Sequence, residues 1–139
     1  MSTQLKTGFH RDILLIHDVE AAAESIIGRL KKETHNLLRR QGGVVGISGG
    51  IDSSVTMALA AKAFGSEKVL GIMLPEKDSS SDSEILARKL AEKFGVKAIT
   101  ENISEALTGF GCYQRRDEAV KNVFPDYDPA KHKMKIGIK

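Results

Sequence analysis

The sequence predicts an α/β domain built on a doubly wound, mostly parallel sheet with helices on both faces. Three observations point there: short apolar runs at residues 44–47 and 69–74, amphipathic stretches of helical period around them, and a glycine or proline at each junction. Strands and helices alternating at this spacing require right-handed crossovers. A sheet wound that way meets its ligands beyond the carboxyl ends of its strands, which directs attention to the loop after the first strand. A length of 139 residues suits one domain with one core, residues 1–139.

The first element is a long helix over residues 18–40. Val19, Ala22, Ile26, Leu30, Leu37 and Leu38 recur near the 3.6 period, with Glu20 early and Arg39 and Arg40 late, as the helix dipole favours. Gly42 and Gly43 stop it, and the almost wholly apolar run 44–47 reads as a strand buried on both faces. A second helix over 53–64 places Val55, Leu59 and Ala63 on one side and ends at Gly65. The run 69–74 is a second strand, closed by Pro75, which has no N–H to give a ladder. Ser81 with Glu84 has the capping-box pattern, so a third helix runs to Phe94 with Leu86, Leu90 and Phe94 along one face. Gly95 ends it, and residues 97–99 begin a third strand.

Beyond Ile103 the pattern gives a short helix and then a charged one over 113–124, before Pro125 and Pro129. In the basic tail, 125–139, Met134, Ile136 and Ile138 alternate with lysines and Gly137. That alternation reads as an unfinished strand, and it predicts a sheet incomplete in this chain, with apolar surface exposed where a further part would dock.

The formal charge is +3 and the pI about 9.0, but the excess is local. Residues 129–139 hold Lys131, Lys133, Lys135 and Lys139 and no acid, four of the 21 Lys and Arg residues, which leaves 17 against 18 acidic residues elsewhere. Such a balance gives no distributed basic face, and 5% aromatics give few stacking platforms, so nucleic acid is not an expected partner. Cys112 stands alone and suits a reducing compartment, hence a cytoplasmic location. The apolar run 13–16 is too short for a membrane span or a cleaved leader, and no membrane partner is expected. His10, His17, His35 and His132 are scattered without ligand spacing, which argues against structural zinc.

Chemistry concentrates in Gly46, Ile47, Ser48, Gly49, Gly50, Ile51, Asp52 and Ser53, between a strand and a helix start. Gly49 and Gly50 lack Cβ atoms and can take positive φ, so several backbone N–H groups can converge on an anion. The helix N-terminus adds unpaired donors and partial positive charge, and Ser48 and Ser53 add hydroxyls. Asp52 beside a phosphate is repulsive unless a cation lies between, which points to Mg²⁺, a hard ion that takes carboxylate and phosphate oxygens together. The plain alternative is a tight glycine turn with an acid favouring the helix start. No lysine lies between Gly46 and Ser54, so the G-x-x-x-x-G-K-[ST] pattern is absent, and Ser48 stands where the second glycine of G-x-G-x-x-G belongs.

The motif S-G-G-x-D-S, present as Ser48-Gly49-Gly50-Ile51-Asp52-Ser53, resembles the signature of the ATP pyrophosphatases, which cleave ATP between its α and β phosphates. That superfamily includes NAD synthetase, GMP synthetase, asparagine synthetase and tRNA-thiolating enzymes. Residues 73–96 and 109–136 are similar to NAD synthetase more than to the others. The resemblance implies an adenine nucleotide alpha hydrolase-like fold and an AMP-forming carbon–nitrogen ligase. In that reaction the carboxylate of nicotinic acid adenine dinucleotide attacks the α-phosphate, pyrophosphate leaves, and ammonia, free or drawn from glutamine, displaces AMP. It implies ATP bound at Gly46 to Ser53, magnesium on Asp52, and a homodimer with the dinucleotide between subunits; the first helix reads equally as part of that interface or as a helix packed only on its own sheet. Family members are longer, and their second half supplies further contacts to magnesium, dinucleotide and adenine. No catalytic residue is singled out. Another ATP pyrophosphatase, of GMP synthetase or tRNA-thiolating type, and a non-catalytic nucleotide-binding or dimerising fragment remain the alternatives. Lys77, Asp78 and the serines at 79–81 sit at a strand's carboxyl end but read equally as a solvated loop and cap; Arg115 and Arg116 read as a solvated helix face, and Cys112 as a free structural thiol.

Overall fold

A computed structural model describes residues 15–132. Helix α1 (Val19–Lys32) begins at Asp18, whose Oδ1 accepts the Ala21 N–H at 2.9 Å, and it ends with Arg29, Lys31 and Lys32 at the negative pole of its dipole. The sequence predicts one helix as far as Arg40. The chain instead widens into a π-helical turn at Glu33–Leu37, with the Leu38 N–H reaching the Glu33 carbonyl at 3.0 Å. Arg39, at φ 52, then turns the chain out of the helix while the Arg40 N–H satisfies the Thr34 carbonyl.

Three parallel strands follow in the spatial order β1 (Gly43–Gly46), β2 (Val69–Met73), β3 (Lys97–Thr100). Helix α2 (Ile51–Phe64) links the first pair and α3 (Ser81–Lys93) the second. Because the strand order runs in one direction, two right-handed crossovers put both helices on the same face. The core agrees: Met57, Ala60 and Ala61 of α2 and Ala87 and Ala91 of α3 join Val45, Val69 and Met73 in one cluster. Register sets Val45, Gly71 and Ala98 side by side beneath the helices. A Cβ on Gly71 would lie 3.0 Å from Ile47 Cδ1 and 3.6 Å from the sulfur of Met57, the fully buried large side chain of the core, so the strand lacks a side chain where its neighbours already fill the space.

The expected faces of the two helices hold in part: Ala63 is buried, and Leu90 and Phe94 pack against the core. Val55 is 52% exposed and Leu86 53%, while Met57, Ala60, Ala61 and Ala63 of α2 and Ala87 and Ala91 of α3 are buried. Small side chains let each helix lie close to the sheet, and that proximity outweighs the larger transfer energy of leucine or valine at the neighbouring positions. The other face of the sheet carries Val44, Leu70, Ile72 and Ile99. Val44 is 64% exposed, so β1 is buried on one face rather than two. Apolar residues left open on this face are what an incomplete sheet predicts.

Past β3 the chain stays tied to β2. The Glu101 N–H donates to the Met73 carbonyl at 2.9 Å and the Ile103 N–H to Pro75 at 3.0 Å, before α4 (Ser104–Gly109) and α5 (Cys112–Val123). No helix among the described residues is long and apolar enough to cross a membrane. The alternating segment Met134 to Ile138 lies outside the described residues.

Candidate functional site

The ladder between β1 and β2 continues one residue past β1, with the Ile47 N–H donating to the Ile72 carbonyl at 2.8 Å. The chain then turns sharply. Gly49 has φ 76, and a Cβ there would sit 2.5 Å from the Ser83 carbonyl oxygen and 3.2 Å from Leu86 Cβ, so backbone conformation and the approach of α3 both require glycine. Gly50 departs from the expectation of a second positive φ: at φ −79 and ψ 164 it is extended and serves as the N-cap of α2.

Hydroxyls hold this loop together. Ser53 Oγ donates to the Gly50 carbonyl at 3.0 Å and accepts the Ser48 N–H at 3.3 Å, and Ser48 Oγ lies 3.3 Å from it. Ser54 Oγ donates to the same Gly50 carbonyl at 2.7 Å, and Ser48 Oγ accepts the Gly50 N–H at 3.4 Å. No side chain caps α2, so its first-turn N–H groups, on Ile51, Asp52 and Ser53, have no intrahelical acceptor and face the entry of the loop. Asp52 is exposed in that first turn.

A cleft of about 320 Å³ opens between the loops that follow β1 and β2. Gly46, Ile47 and Ser48 line one side of it, and Pro75, Ser79, Ser80 and Ser83 the other. Of the eight residues singled out by sequence, Gly49, Gly50, Ile51, Asp52 and Ser53 lie outside that lining, on the turn and the helix start that follow it. Ser83 and Glu84 in the lining were not singled out as site residues, because both sit inside a helix that patterning alone assigns to packing. The predicted capping box is displaced by one residue: Ser80 caps α3, accepting the Asp82 N–H at 3.2 Å. Glu84 turns away from the helix start to Arg88 at 2.7 Å, and Arg88 also reaches Thr100 Oγ1 at 2.8 Å, tying α3 to β3.

The loop between β2 and α3 turns its outer side to α5. Tyr113 Oη donates to Glu76 Oε2 at 2.8 Å, Lys77 Nζ stands 3.8 Å from the centre of the Tyr113 ring, and Arg116 Nη1 meets Asp78 Oδ2 at 2.7 Å. Arg116 also pairs with Asp117 at 2.9 Å, and hydrogen bonds to the two carboxylates raise its guanidinium pKa above the ordinary value. It is therefore committed to these acids. Partial burial first, and then the hydrogen bond to Glu76, push the Tyr113 hydroxyl up from 10.0. Cys112 is half-buried at the start of α5, 3.8 Å from Arg115 Nη2.

Among the described residues no three or more His, Cys, Asp or Glu side chains cluster as a metal cage. A lone exposed carboxylate such as Asp52 fits a magnesium ion shared with phosphates and water, which commonly takes one or two protein carboxylates.

The family model described as NAD synthase matches residues 22–136. The chain belongs to the NAD synthase family. Over 114 residues it is 46% identical to the NH3-dependent NAD+ synthetase of Mesorhizobium japonicum, an alignment covering 82% of this chain and 36% of that one. It is similar in structure to the NMN synthetase of Francisella tularensis, with TM-score 0.65 and 25% identity over 73% of this chain and 41% of that one. The glutamine-dependent NAD+ synthetase of Acinetobacter baumannii, solved with ADP, gives TM-score 0.56 and 28% identity over 88% of this chain and 24% of that one. The chain thus spans about a third of the length of the curated NAD synthase relatives it matches, and its three parallel strands are a part of the fold that those structures share.

Proposed function

We propose that the cleft at the carboxyl ends of β1 and β2 receives ATP, within a protein that amidates nicotinic acid adenine dinucleotide to NAD⁺ and releases AMP and pyrophosphate. The observation that carries this reading is the hydroxyl-braced turn at Ser48–Ser53, with Gly49 at φ 76, leading from the cleft into the uncapped first turn of α2. In this reading the substrate carboxylate forms a bond to the α-phosphorus while the bond to the bridging oxygen breaks and pyrophosphate departs. Ammonia then attacks the acyl carbon, loses a proton, and AMP leaves with the former carboxylate oxygen.

The leaving pyrophosphate gathers negative charge as that first bond breaks. Unpaired N–H groups of Ile51, Asp52 and Ser53 and the Ser48 hydroxyl, already fixed by the fold, are aimed at such charge without reorganisation. Asp52 is the residue that would hold magnesium, whose chemistry is neutralisation of the phosphate oxygens. Ammonia and the dinucleotide carry no assigned residues in this chain, and the exposed apolar positions Val19, Ile26, Leu37 and Leu38 of the first helical segment support a homodimer contact. The likeness to NMN synthetase favours a second reading, in which the acceptor is the mononucleotide rather than the dinucleotide.

Calorimetric titration with Mg·ATP and then Mg·pyrophosphate tests the site. Wild type binds both, and Asp52→Ala loses the magnesium-dependent part of each. Incubation with ATP, ammonia and either acceptor, with AMP and product quantified, separates the two acceptors. A folded wild type that binds neither nucleotide nor pyrophosphate would falsify the assignment of the loop.

A further inference from the structure

We propose that Tyr113 and Arg116 of α5 are positioning residues, which pin the loop between β2 and α3 as the second wall of the nucleotide cleft; this rests on reading that cleft as the ATP site. The loop has two sides with different partners. Pro75, Ser79 and Ser80 line the cleft, whereas Glu76, Lys77 and Asp78 between them are each held by one of two α5 residues spaced three apart, on one helix face. These contacts join segments 37 and 38 residues apart.

The Glu76 carboxylate passes the restraint inward. One oxygen accepts from Tyr113, and the other accepts the Asp78 backbone N–H at 3.0 Å. The Glu76 backbone in turn exchanges two hydrogen bonds with Ser79, its N–H to Ser79 Oγ at 2.9 Å and its carbonyl to the Ser79 N–H at 2.9 Å. A shift of the Tyr113 hydroxyl is thereby relayed to the serine that faces the cleft. The strand ladder ends at the base of this loop, at Pro75, so the α5 contacts add a long-range restraint to a segment otherwise tied by short-range hydrogen bonds.

The test compares the full chain as wild type, Tyr113→Phe, Arg116→Gln and Arg116→Lys. Tyr113→Phe keeps the ring under Lys77 and removes only the hydroxyl. Amide hydrogen exchange over residues 74–81 and calorimetric binding of Mg·ATP are measured on each. The expected result is faster exchange confined to the loop in Tyr113→Phe and Arg116→Gln, with Mg·ATP bound about threefold to tenfold more weakly, the loss expected for about one polar contact. Arg116→Lys, which keeps a cation opposite Asp78, recovers part of the affinity, a rescue that a purely structural role in α5 would not produce. Unchanged loop exchange in the variants overturns the proposal, and so does a loosened loop with unaltered Mg·ATP affinity. Failure of the nucleotide reading is seen separately, as no binding by a folded wild type, and loop exchange then still decides whether α5 pins the loop.

Discussion

The loops after β1 and β2 occupy equivalent places at the carboxyl edge of the sheet and both carry internal hydrogen bonds, yet they differ in what else holds them. The first is braced from within, by serine hydroxyls acting over at most five residues between Ser48 and Ser54. The second takes its outer contacts from a helix more than thirty residues downstream. A self-braced loop keeps its shape when distant parts are disturbed, whereas a loop pinned from afar answers to whatever moves the pin. The two walls of one cleft therefore differ in what they depend on.

The largest effect expected comes from breaking the self-braced wall at its turn. Gly49→Ala meets both the positive φ and the Ser83 carbonyl oxygen, and it should cost about 2–5 kcal/mol of stability in urea unfolding, from backbone strain and overpacking together. Asp52→Ala should do the reverse, leaving stability within about 1 kcal/mol, the worth of an exposed acid at a helix start, while Mg·ATP affinity falls at least about tenfold. A parallel loss of stability would show that Asp52 supports the fold instead. Ser53→Ala removes the hydroxyl that joins Ser48 to Gly50 and should cost about 1 kcal/mol, read by the same unfolding curves.

The smallest effect concerns the pinned wall and pH. The Tyr113 hydroxyl donates to Glu76, and its pKa is raised, so the contact is fully present below the ordinary value of 10.0 and is lost as pH rises through the raised value. Spectroscopic titration of tyrosinate should show a component above 10.0 that disappears in Tyr113→Phe. Titration of both tyrosines at or below 10.0 would count against that geometry.

The turn after β1 was legible in the sequence because its signals are local: glycine, serine and aspartate follow a short apolar run within eight residues. Strand and helix existence was legible for the same reason. What escaped depended on neighbours. In α2 apolar residues surround the axis, from Ile51 and Val55 to Met57 and Ala61, so periodicity had no face to choose. In α3 Leu90 and Phe94 pack against the core as expected, but Leu86 stays exposed while Ala87 and Ala91 are buried against the sheet. A run of serines at 79–81 offered adjacent caps; Ser80 takes that place, while Ser79 Oγ accepts the Glu76 N–H. The pairing of Tyr113 with Glu76 has no local signature at all. Nor has the π-helical turn at Glu33–Leu37, which arises where the helix must leave its axis for β1.

The seam between helices and sheet has alanine at 60, 61, 63, 87 and 91, facing a strand that has glycine at 71. This reverses the usual mutational hazard of a protein interior. Truncation of these alanines has almost nothing to remove. Enlargement has nowhere to go, because each added methyl group must push a whole helix off the sheet. Substitution along this seam is thus confined to residues no larger than those already present.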